Sequence, residues 1–370
     1  MKFRESFHQM MEGRGGMVLY DLPMTEPVQE LMTQKLGTRF ADNMFGSAFK
    51  YAFLWGGSSA GAWEAAYRKL DIELPHDCFI GGNGYMGRKP PRETLGHAWH
   101  LTAMMHPLAE IESLEVIREL PWDDAEAMVL MSGLPDQIED IKGQGFVSTA
   151  PLECTVFESA WYLRGMDCLF TDLVEGNEIG DFLLDYFTQH SLVRAGAYAE
   201  AGADLIRLGD DVGTQRGMMM SVSQWRSIFK PRLAKIVQEI KHRETAKTWI
   251  QYHSDGDIRP IIPDLIEIGI DILNPIQPEC MDFAELAREY GQDLAFSGMI
   301  GTQTTMPFGT EDDVRARVHE VFEAAAGKAR IILAPTHVLE PDVPLPNITA
   351  FYEEVHSLPE LPPCPIRNAE

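Results

Sequence analysis

Short apolar runs alternate with longer segments of helical periodicity through the last two thirds of the chain. The short runs have the length and composition of buried strands, and each is followed by a segment in which apolar residues recur at helical spacing. A regular alternation of strands and helices predicts a parallel sheet covered by helices. The predicted strands span 145–151, 203–209, 248–253, 270–275, 294–299 and 330–335.

The helical segments carry start signals of their own. Ser221 is followed three residues later by Gln224, which is the pattern of a capping box. Apolar residues from 225 to 240 keep helical spacing after it, and Pro231 is expected to kink this helix. The other predicted helices span 258–268, 282–290 and 310–326.

The first 145 residues give a weaker pattern. The segments 17–22 and 97–105 are able to supply two more strands, and 79–89 is predicted to be a loop. No glycine-rich nucleotide loop follows any predicted strand, which favours a closed barrel over a doubly wound sheet. The predicted fold is therefore α/β, a single TIM-type (β/α)8 barrel. Its predicted organisation is an N-terminal extension over 1–95 and a continuous barrel over 96–365.

Composition narrows the possible partners. The formal net charge is −25, so binding to nucleic acid or to an anionic membrane is not expected. No apolar run approaches the roughly 18 residues of a membrane span, and residues 1–8 are charged, unlike a secretory signal. The five cysteines are scattered and form no CxxC pair, which fits a reducing cytoplasm and excludes a structural zinc finger.

The segment around His253 carries the most chemical information. His253 and Asp255 stand two residues apart where a predicted strand gives way to glycine. Side chains at i and i+2 of a strand project from the same face, so imidazole and carboxylate converge on one point. Polar residues also follow the neighbouring strands, and the active sites of barrels are built at these strand ends. They include Asp210, Asp211, Gln215, Asn274, Gln277, Cys280, Gln303 and His337.

These residues suggest a metal site with a surrounding substrate wall. His253, Asp255 and His337 offer two imidazoles and a carboxylate, and Cys280 offers a thiolate. Zinc accepts all three donor types, and a catalytic zinc keeps an open position. Alternative readings stay open: His337 as a structural histidine, and Cys280 as a small buried residue at a helix start.

The remaining polar residues are predicted to act on the substrate. Asp210, Asp211 and Gln215 are candidates for orienting it or donating a proton, although Asp210 and Asp211 are also suited to capping a turn. The substrate-binding candidates are Tyr252, Asn274, Gln277 and Gln303.

Several segments together resemble the uroporphyrinogen decarboxylase-like superfamily, which includes zinc-dependent methyltransferases that work with corrinoid proteins. The resemblance covers about 140–365 and implies a TIM-type barrel with its site at the C-terminal mouth. The matching segments are 157–165 (FESAWYLRG), 209–215 (GDDVGTQ), 253–256 (HSDG), 264–277 (DLIEIGIDILNPIQ) and 335–337 (PTH), with Pro344 and Asn347.

The chain departs from both known branches of this superfamily. Decarboxylases of the family resemble one another in an N-terminal arginine-rich segment, whereas residues 11–23 here contain one arginine. The thiol-methylating members carry His-x-Cys-Gly and a further cysteine on the last strand. Carried over by position, those ligands become His253, Asp255 and His337.

The resemblance therefore implies a zinc-dependent methyltransferase. Zinc with oxygen and nitrogen ligands is more electrophilic than zinc with thiolates, which suits removal of a methyl group from a small O- or N-methylated donor. The implied acceptor is cobalamin carried by a corrinoid partner protein, and a homodimer is possible. The main alternative is a metal-free decarboxylase-like lyase acting on a smaller carboxylated substrate. A non-haem iron oxygenase and a non-enzymatic relative with a decayed site are further alternatives.

Overall fold

The computed structural model describes residues 3–37, 47–88 and 104–367. The strands in chain order are β1 (Leu19–Tyr20), β2 (Phe49–Tyr51), β3 (Cys78–Ile80), β4 (Met86–Arg88), β5 (Met104–Met105), β6 (Val147–Glu153), β7 (Leu205–Gly209), β8 (Gly213–Thr214), β9 (Gly217–Met218), β10 (Trp249–His253), β11 (Ile272–Asn274), β12 (Ala295–Ser297) and β13 (Arg330–Leu333). Eight of them form one curled parallel sheet in the order β1-β13-β12-β11-β10-β7-β6-β2, and the predicted TIM-type barrel is confirmed.

The first two barrel strands come from the N-terminal region. β1 lies within the predicted 17–22, but β2 was not predicted. Most of the predicted 97–105 lies outside the described residues, and its described end, β5, pairs with β4 in a small antiparallel sheet. That sheet also contains β3, so the predicted loop 79–89 is largely a hairpin. Both β1 and β2 precede residue 95, so the barrel sheet includes part of the predicted extension.

Helices alternate with the barrel strands and cover the sheet. The predicted capping box at Ser221 is present, but its helix ends at Ile228 and a second helix begins at Lys230, with Pro231 in the first turn, so Pro231 does not kink a continuous helix. The helices are α1 (Phe3–Met11), α2 (Glu26–Leu36), α3 (Ala60–Lys69), α4 (Leu114–Arg118), α5 (Ala125–Met131), α6 (Leu134–Gly143), α7 (Phe157–Arg164), α8 (Met166–Glu175), α9 (Glu178–Glu200), α10 (Val222–Ile228), α11 (Lys230–Arg243), α12 (Ile262–Ile268), α13 (Phe283–Tyr290), α14 (Thr305–Phe308), α15 (Glu311–Ala325) and α16 (Leu345–Ser357). No helix within the described ranges has the length and hydropathy needed to cross a bilayer.

Helix α1 closes the N-terminal end of the barrel. Its residues Phe7, Met10 and Met11 are buried against side chains from the beginnings of the barrel strands, such as Leu19 and Leu205. Burying large apolar side chains in this way stabilises the closure through the hydrophobic effect. The barrel interior is therefore accessible from the opposite end, where the strands finish.

Polar contacts inside the barrel join strands that are distant in the sequence. Arg207, on β7, donates from Nη2 to Asp21 Oδ2 at 2.6 Å, and its Nη1 donates to the hydroxyl of Tyr51 on β2. Ser47 Oγ donates to Asp21 Oδ1 at 2.9 Å. Asp21 follows β1 and Ser47 precedes β2, so one buried carboxylate connects the end of β1 and the segment before β2 to β7 across the barrel.

Candidate metal centre

A cavity of about 340 Å³ opens at the C-terminal ends of the barrel strands. It lies where barrel enzymes of every characterised kind hold their active sites. Of the predicted site residues, Asp211, His253, Asn274 and His337 line it. The other lining residues are Asp21, Pro23, Tyr51, Glu153, Cys154, Glu158, Tyr162, Arg207, Gln251, Ser297, Ala334, Pro335, Thr336 and Val338.

Three side chains converge at the edge of this cavity. One ligand atom each from Asp211, His253 and Asp255 lies within 4.8 Å of the others. His253 ends β10, Asp255 lies two residues further on, and Asp211 follows the neighbouring strand β7. The backbone N–H of Asp255 donates to Asp211 Oδ1 at 2.7 Å, which holds the two loops together. One imidazole and two carboxylates form a donor set that suits a divalent metal such as zinc.

The ring of His253 is held in one orientation by Asn274. Nδ1 of His253 lies 2.7 Å from Asn274 Oδ1, and with its proton on Nδ1 the ring donates to that amide oxygen. The Nε2 lone pair then faces Asp211 Oδ1, which lies 3.7 Å away. Metal-binding histidines are usually oriented by such a contact on the other ring nitrogen. Asn274, predicted to bind substrate, thus positions His253.

Two opposing influences act on the protonation of His253. Burial lowers its pKa, but the carboxylates of Asp211 and Asp255 outweigh burial, and the pKa is raised overall. A group of negative charge that attracts a proton also attracts a metal cation. The electrostatics of the cluster therefore favour a bound cation.

His337 and Cys280 occupy different places. His337 lines the cavity, and its ring centroid is 5.9 Å from that of His253. Cys280 lines a separate pocket near α13 and α15, and its Sγ lies 3.6 Å from the carbonyl oxygen of Gln277. Burial raises the pKa of Cys280 to about 11, which disfavours the thiolate that binds metal. The structure thus brings His337, but not Cys280, to the cavity of His253.

Asp210 and Tyr252 lie behind the cavity wall, although both were predicted to act in it. The carboxylate of Asp210 accepts from the backbone N–H of Val156 and of Glu158, at 3.1 and 2.9 Å, and so caps α7. Tyr252 is buried in the apolar core, and its hydroxyl lies 3.4 Å from the carbonyl oxygen of Asp210. Tyr252 precedes His253 on β10, so its side chain points to the opposite face of the sheet.

The three predicted glutamines support loops around the mouth. Gln277 is buried, and its Oε1 accepts from the backbone N–H of Gly256 at 3.0 Å. Gln215 and Gln303 bond to each other at 2.7 Å on the exposed surface. None of the three lines the cavity, so their contacts stabilise the loops that carry the cluster.

Comparison with known proteins gives the family. The uroporphyrinogen decarboxylase family model matches residues 154–358, which is more than half of the chain. The chain belongs to the uroporphyrinogen decarboxylase family. The resemblance drawn from the sequence motifs is confirmed, and the matched range includes Asp211, His253, Asp255 and His337.

Individual members of the family are more distant. The chain is 25% identical over 244 residues to the methylcobamide:CoM methyltransferase MtaA of Methanosarcina barkeri, and 23% identical to that of Methanosarcina barkeri strain Fusaro. Each match covers 66% of this chain and 61% of the relative, so the chain spans about three fifths of the length of these relatives. A solved methyltransferase from Methanosarcina mazei shares the fold, with a TM-score of 0.62 and 17% identity over 96% of this chain and 98% of that one.

The family member described here has a buried acid that the sequence motifs did not single out. Glu158, on α7, accepts from the hydroxyl of Tyr162 at 2.8 Å and from the backbone N–H of Asp211 at 3.1 Å. Burial, followed by the charges of Asp211 and Asp210, raises the pKa of Glu158 to about 8. Glu158 and Tyr162 are four residues apart and share one face of α7, a spacing that was visible in the sequence.

Proposed function

We propose that this chain is a zinc-dependent methyltransferase that moves a methyl group from a small O- or N-methylated donor to a corrinoid protein. The observation that carries the proposal is the convergence of Asp211, His253 and Asp255 at the barrel mouth of a member of this family. Relatives named as methylcobamide methyltransferases add support for the reaction class.

The residues that fit the metal differ in part from those predicted. His253 and Asp255 remain in the proposed set, Asp211 joins them, and His337 lies beside His253 within the same cavity. Cys280 is left out because its thiol lines another pocket. Zinc bound there supplies a Lewis acid that withdraws charge from the departing oxygen or nitrogen.

Other residues prepare the site for this chemistry. Asn274 fixes the ring of His253, and Glu158 fixes the backbone that carries Asp211. Glu158 and Tyr162 form one hydrogen-bonded pair on the cavity wall. In the proposed reaction they lie beside the donor and are able to supply the proton that the demethylated product needs.

The rim of the cavity supports a corrinoid-protein docking site. Phe53 and Trp55 follow β2 directly and are 43% and 59% exposed, with their ring centroids 5.7 Å apart. Leu130 and Met131 are exposed at the end of α5, and Met131 lies next to Gly56. Exposed apolar patches of this kind commonly mark protein contacts. A corrinoid domain seated on them is positioned to present its cobalt above the cavity.

The test measures metal content and reaction direction in the same preparation. Untreated protein is expected to contain about one zinc per chain and to methylate added cob(I)alamin when methoxylated or N-methylated compounds are supplied. Thiol methylation from methylcob(III)alamin, without demethylation of any donor, would show that the direction is wrong. Metal-free protein that releases carbon dioxide from a carboxylated substrate would instead favour the lyase.

A further inference from the structure

A second chamber of about 310 Å³ lies beside the candidate metal centre. It shares the wall residues Glu153, Cys154 and Tyr162 with the first cavity. The residues that distinguish this chamber, the Arg194 chamber, are Asn83, Asp123, His190 and Arg194. Nothing in the proposed metal chemistry uses these residues.

Arg194 is the residue of this chamber whose charge is best suited to bind a ligand. It projects from α9 into the chamber, and within the described residues its guanidinium makes neither a hydrogen bond nor an ion pair; its Nε is fully buried without a partner. Burial lowers the pKa of Arg194 by more than the neighbouring tyrosines and acids raise it. Because arginine stays charged in proteins, a partly buried guanidinium without an ion pair attracts an anion.

His190 adds a second unsatisfied group to the same wall. It stands one helical turn before Arg194, is 5% exposed, and its Nε2 has no hydrogen-bond partner. Burial, with a smaller contribution from the charge of Arg194, lowers the pKa of His190 to about 3, so the ring is neutral at physiological pH. Its ring stacks on Tyr186 at 5.8 Å, which holds it in place.

The nearby carboxyl groups of Asp123 and Glu153 raise the pKa of Arg194, but within the described residues neither forms an ion pair with it. Asp123 accepts from the backbone N–H of Ser58 at 2.5 Å and of Asn83 at 3.1 Å, and so is committed to the surrounding loops. Burial raises the pKa of Glu153, which favours its neutral form. Because these two acids already stand beside the one cation, a ligand with a single negative charge fits the chamber better than a dianion such as phosphate.

The chamber lies within reach of the metal cluster. Glu153 on β6 is in register with Gly209 on β7, and Gly209 is in register with His253 on β10. Neighbouring strands are about 4.8 Å apart, so the shared wall begins roughly 10 Å from His253 along the sheet. A small molecule that occupies both cavities must extend at least about that far.

We propose that the Arg194 chamber binds a carboxylate of the methyl donor, so that the substrate is a methoxylated or N-methylated acid whose two ends occupy the two cavities. This inference rests on the proposed function, since it assigns the other end of the same substrate. A carboxylate matches the planar guanidinium with two parallel hydrogen bonds and carries the single charge that the chamber accepts.

The test compares acids with their neutral amides by calorimetry on metal-loaded full-length protein. The probes are benzoate, 4-methoxybenzoate and 4-methoxycinnamate, each against its primary amide, with phenyl phosphate as the dianion. We expect at least one acid to bind about tenfold or more tightly than its amide, because charge-assisted hydrogen bonds to a partly buried cation are strong. In Arg194→Gln this preference should disappear, and Arg194→Lys should retain part of it.

Arg243→Gln is the matched control, because it removes the same charge from the exposed surface of α11 and should keep the preference. Circular dichroism and the unfolding midpoint establish that each variant is folded. Equal binding of every acid and its amide, or an acid preference that survives in Arg194→Gln, would overturn the inference. Methyl transfer from neutral donors alone would also overturn it but leave the proposed function intact. An acid preference without any methyl transfer would support the chamber and contradict the proposed function.

Discussion

The two ends of strand β7 each carry an aspartate close to a histidine, and only one of them looks like a functional site. At the N-terminal end, Asp204 accepts from Arg4 Nε and from Ser148 Oγ, and lies 3.0 Å from His8 Nε2. At the C-terminal end, Asp211 lies 3.7 Å from His253 Nε2 and shares its surroundings with Asp255. The same two residue types thus meet at both ends of one strand.

The balance of charge separates the two sites. Asp204 is 1% exposed; burial raises its pKa, but the contact with His8, the hydrogen bonds from Ser148 and the charges of Lys142 and Arg4 lower it more, so it stays ionised. The Asp211 cluster has two carboxylates and one imidazole, and it faces an open cavity. A histidine near an aspartate is therefore structural where cations already satisfy the carboxylate, and is suited to metal where carboxylates are in excess.

Removing the histidine from each end of β7 tests most directly whether only the C-terminal site binds metal. His253→Ala is expected to lose nearly all bound zinc and at least about a thousandfold in methyl transfer, because it removes a ligand at the reacting centre. His8→Ala should keep its zinc and lose stability only. Elemental analysis and methyl transfer to cob(I)alamin check both variants. Equal zinc content in wild type and His253→Ala would remove the metal assignment.

Replacing the aspartate at each end of β7 should affect stability most at the N-terminal end, where Asp204 lies, and metal binding most at the C-terminal end, where Asp211 lies. Asp204→Asn leaves Arg4, His8 and the buried Ser148 without the carboxylate of a buried aspartate, so it is expected to lower the free energy of unfolding by about 3 kcal/mol. Asp211→Asn, at a partly exposed position, should cost less than about 1 kcal/mol but weaken zinc binding about tenfold to a hundredfold. Urea denaturation and competition with a chelator measure the two quantities. A larger stability loss in Asp211→Asn would contradict the assignment of Asp204 as the structural member.

Much of the barrel was predictable because its later strands are bounded by clear signals. β7 and β10 are buried runs whose ends are marked by polar residues, Asp210 and Asp211 after Gly209 and His253 itself on β10, so their C-terminal ends were visible in the sequence. β2 has a lysine between Phe49 and Tyr51, so no apolar run marks it as a buried strand, and it was missed. Its place in the sheet depends on pairing with β6, nearly a hundred positions later in the chain.

The site was predicted less completely, because a local sequence pattern does not show how deeply a side chain is buried or which distant residues it contacts. Asp210 and Asp211 are adjacent, but one caps α7 and the other faces the cavity. Adjacent residues of a strand point to opposite faces of the sheet, so if His253 faces the cavity, Tyr252 must face the core. The prediction of Tyr252 as a substrate-binding residue did not apply this rule. Glu158 was missed because its contact with Asp211 joins residues 53 positions apart.

A third histidine, His190, is expected to make the stability of the protein depend on pH. Burial lowers the pKa of His190 to about 3, whereas an unfolded histidine titrates near 6.5. Between these two pH values the unfolded state binds more protons than the folded state. Burial of neutral His190 therefore carries no protonation cost above pH 6.5, and the free energy of unfolding falls as the pH drops from 6.5 towards 3. Wild type should lose about 2 kcal/mol between pH 7.5 and pH 5 from this residue. His190→Gln should remove that part of the loss in urea denaturation at the two pH values, and an unchanged loss would refute the burial argument.

The smallest expected effect concerns the exposed apolar patch at the C-terminal mouth of the barrel, which is the proposed docking surface for the corrinoid protein. Trp55→Ala removes an exposed aromatic side chain at the mouth. It is expected to raise the KM for a corrinoid protein about threefold to tenfold, since exposed aromatic residues often anchor interfaces. Transfer to free cob(I)alamin should not change, because the free cofactor does not need the docking surface. Phe308→Ala is the control, since it removes a similarly exposed aromatic residue from α14. An equal effect of Trp55→Ala on free and protein-bound cobalamin would mean that Trp55 acts on the cavity itself, and that the partner docks elsewhere.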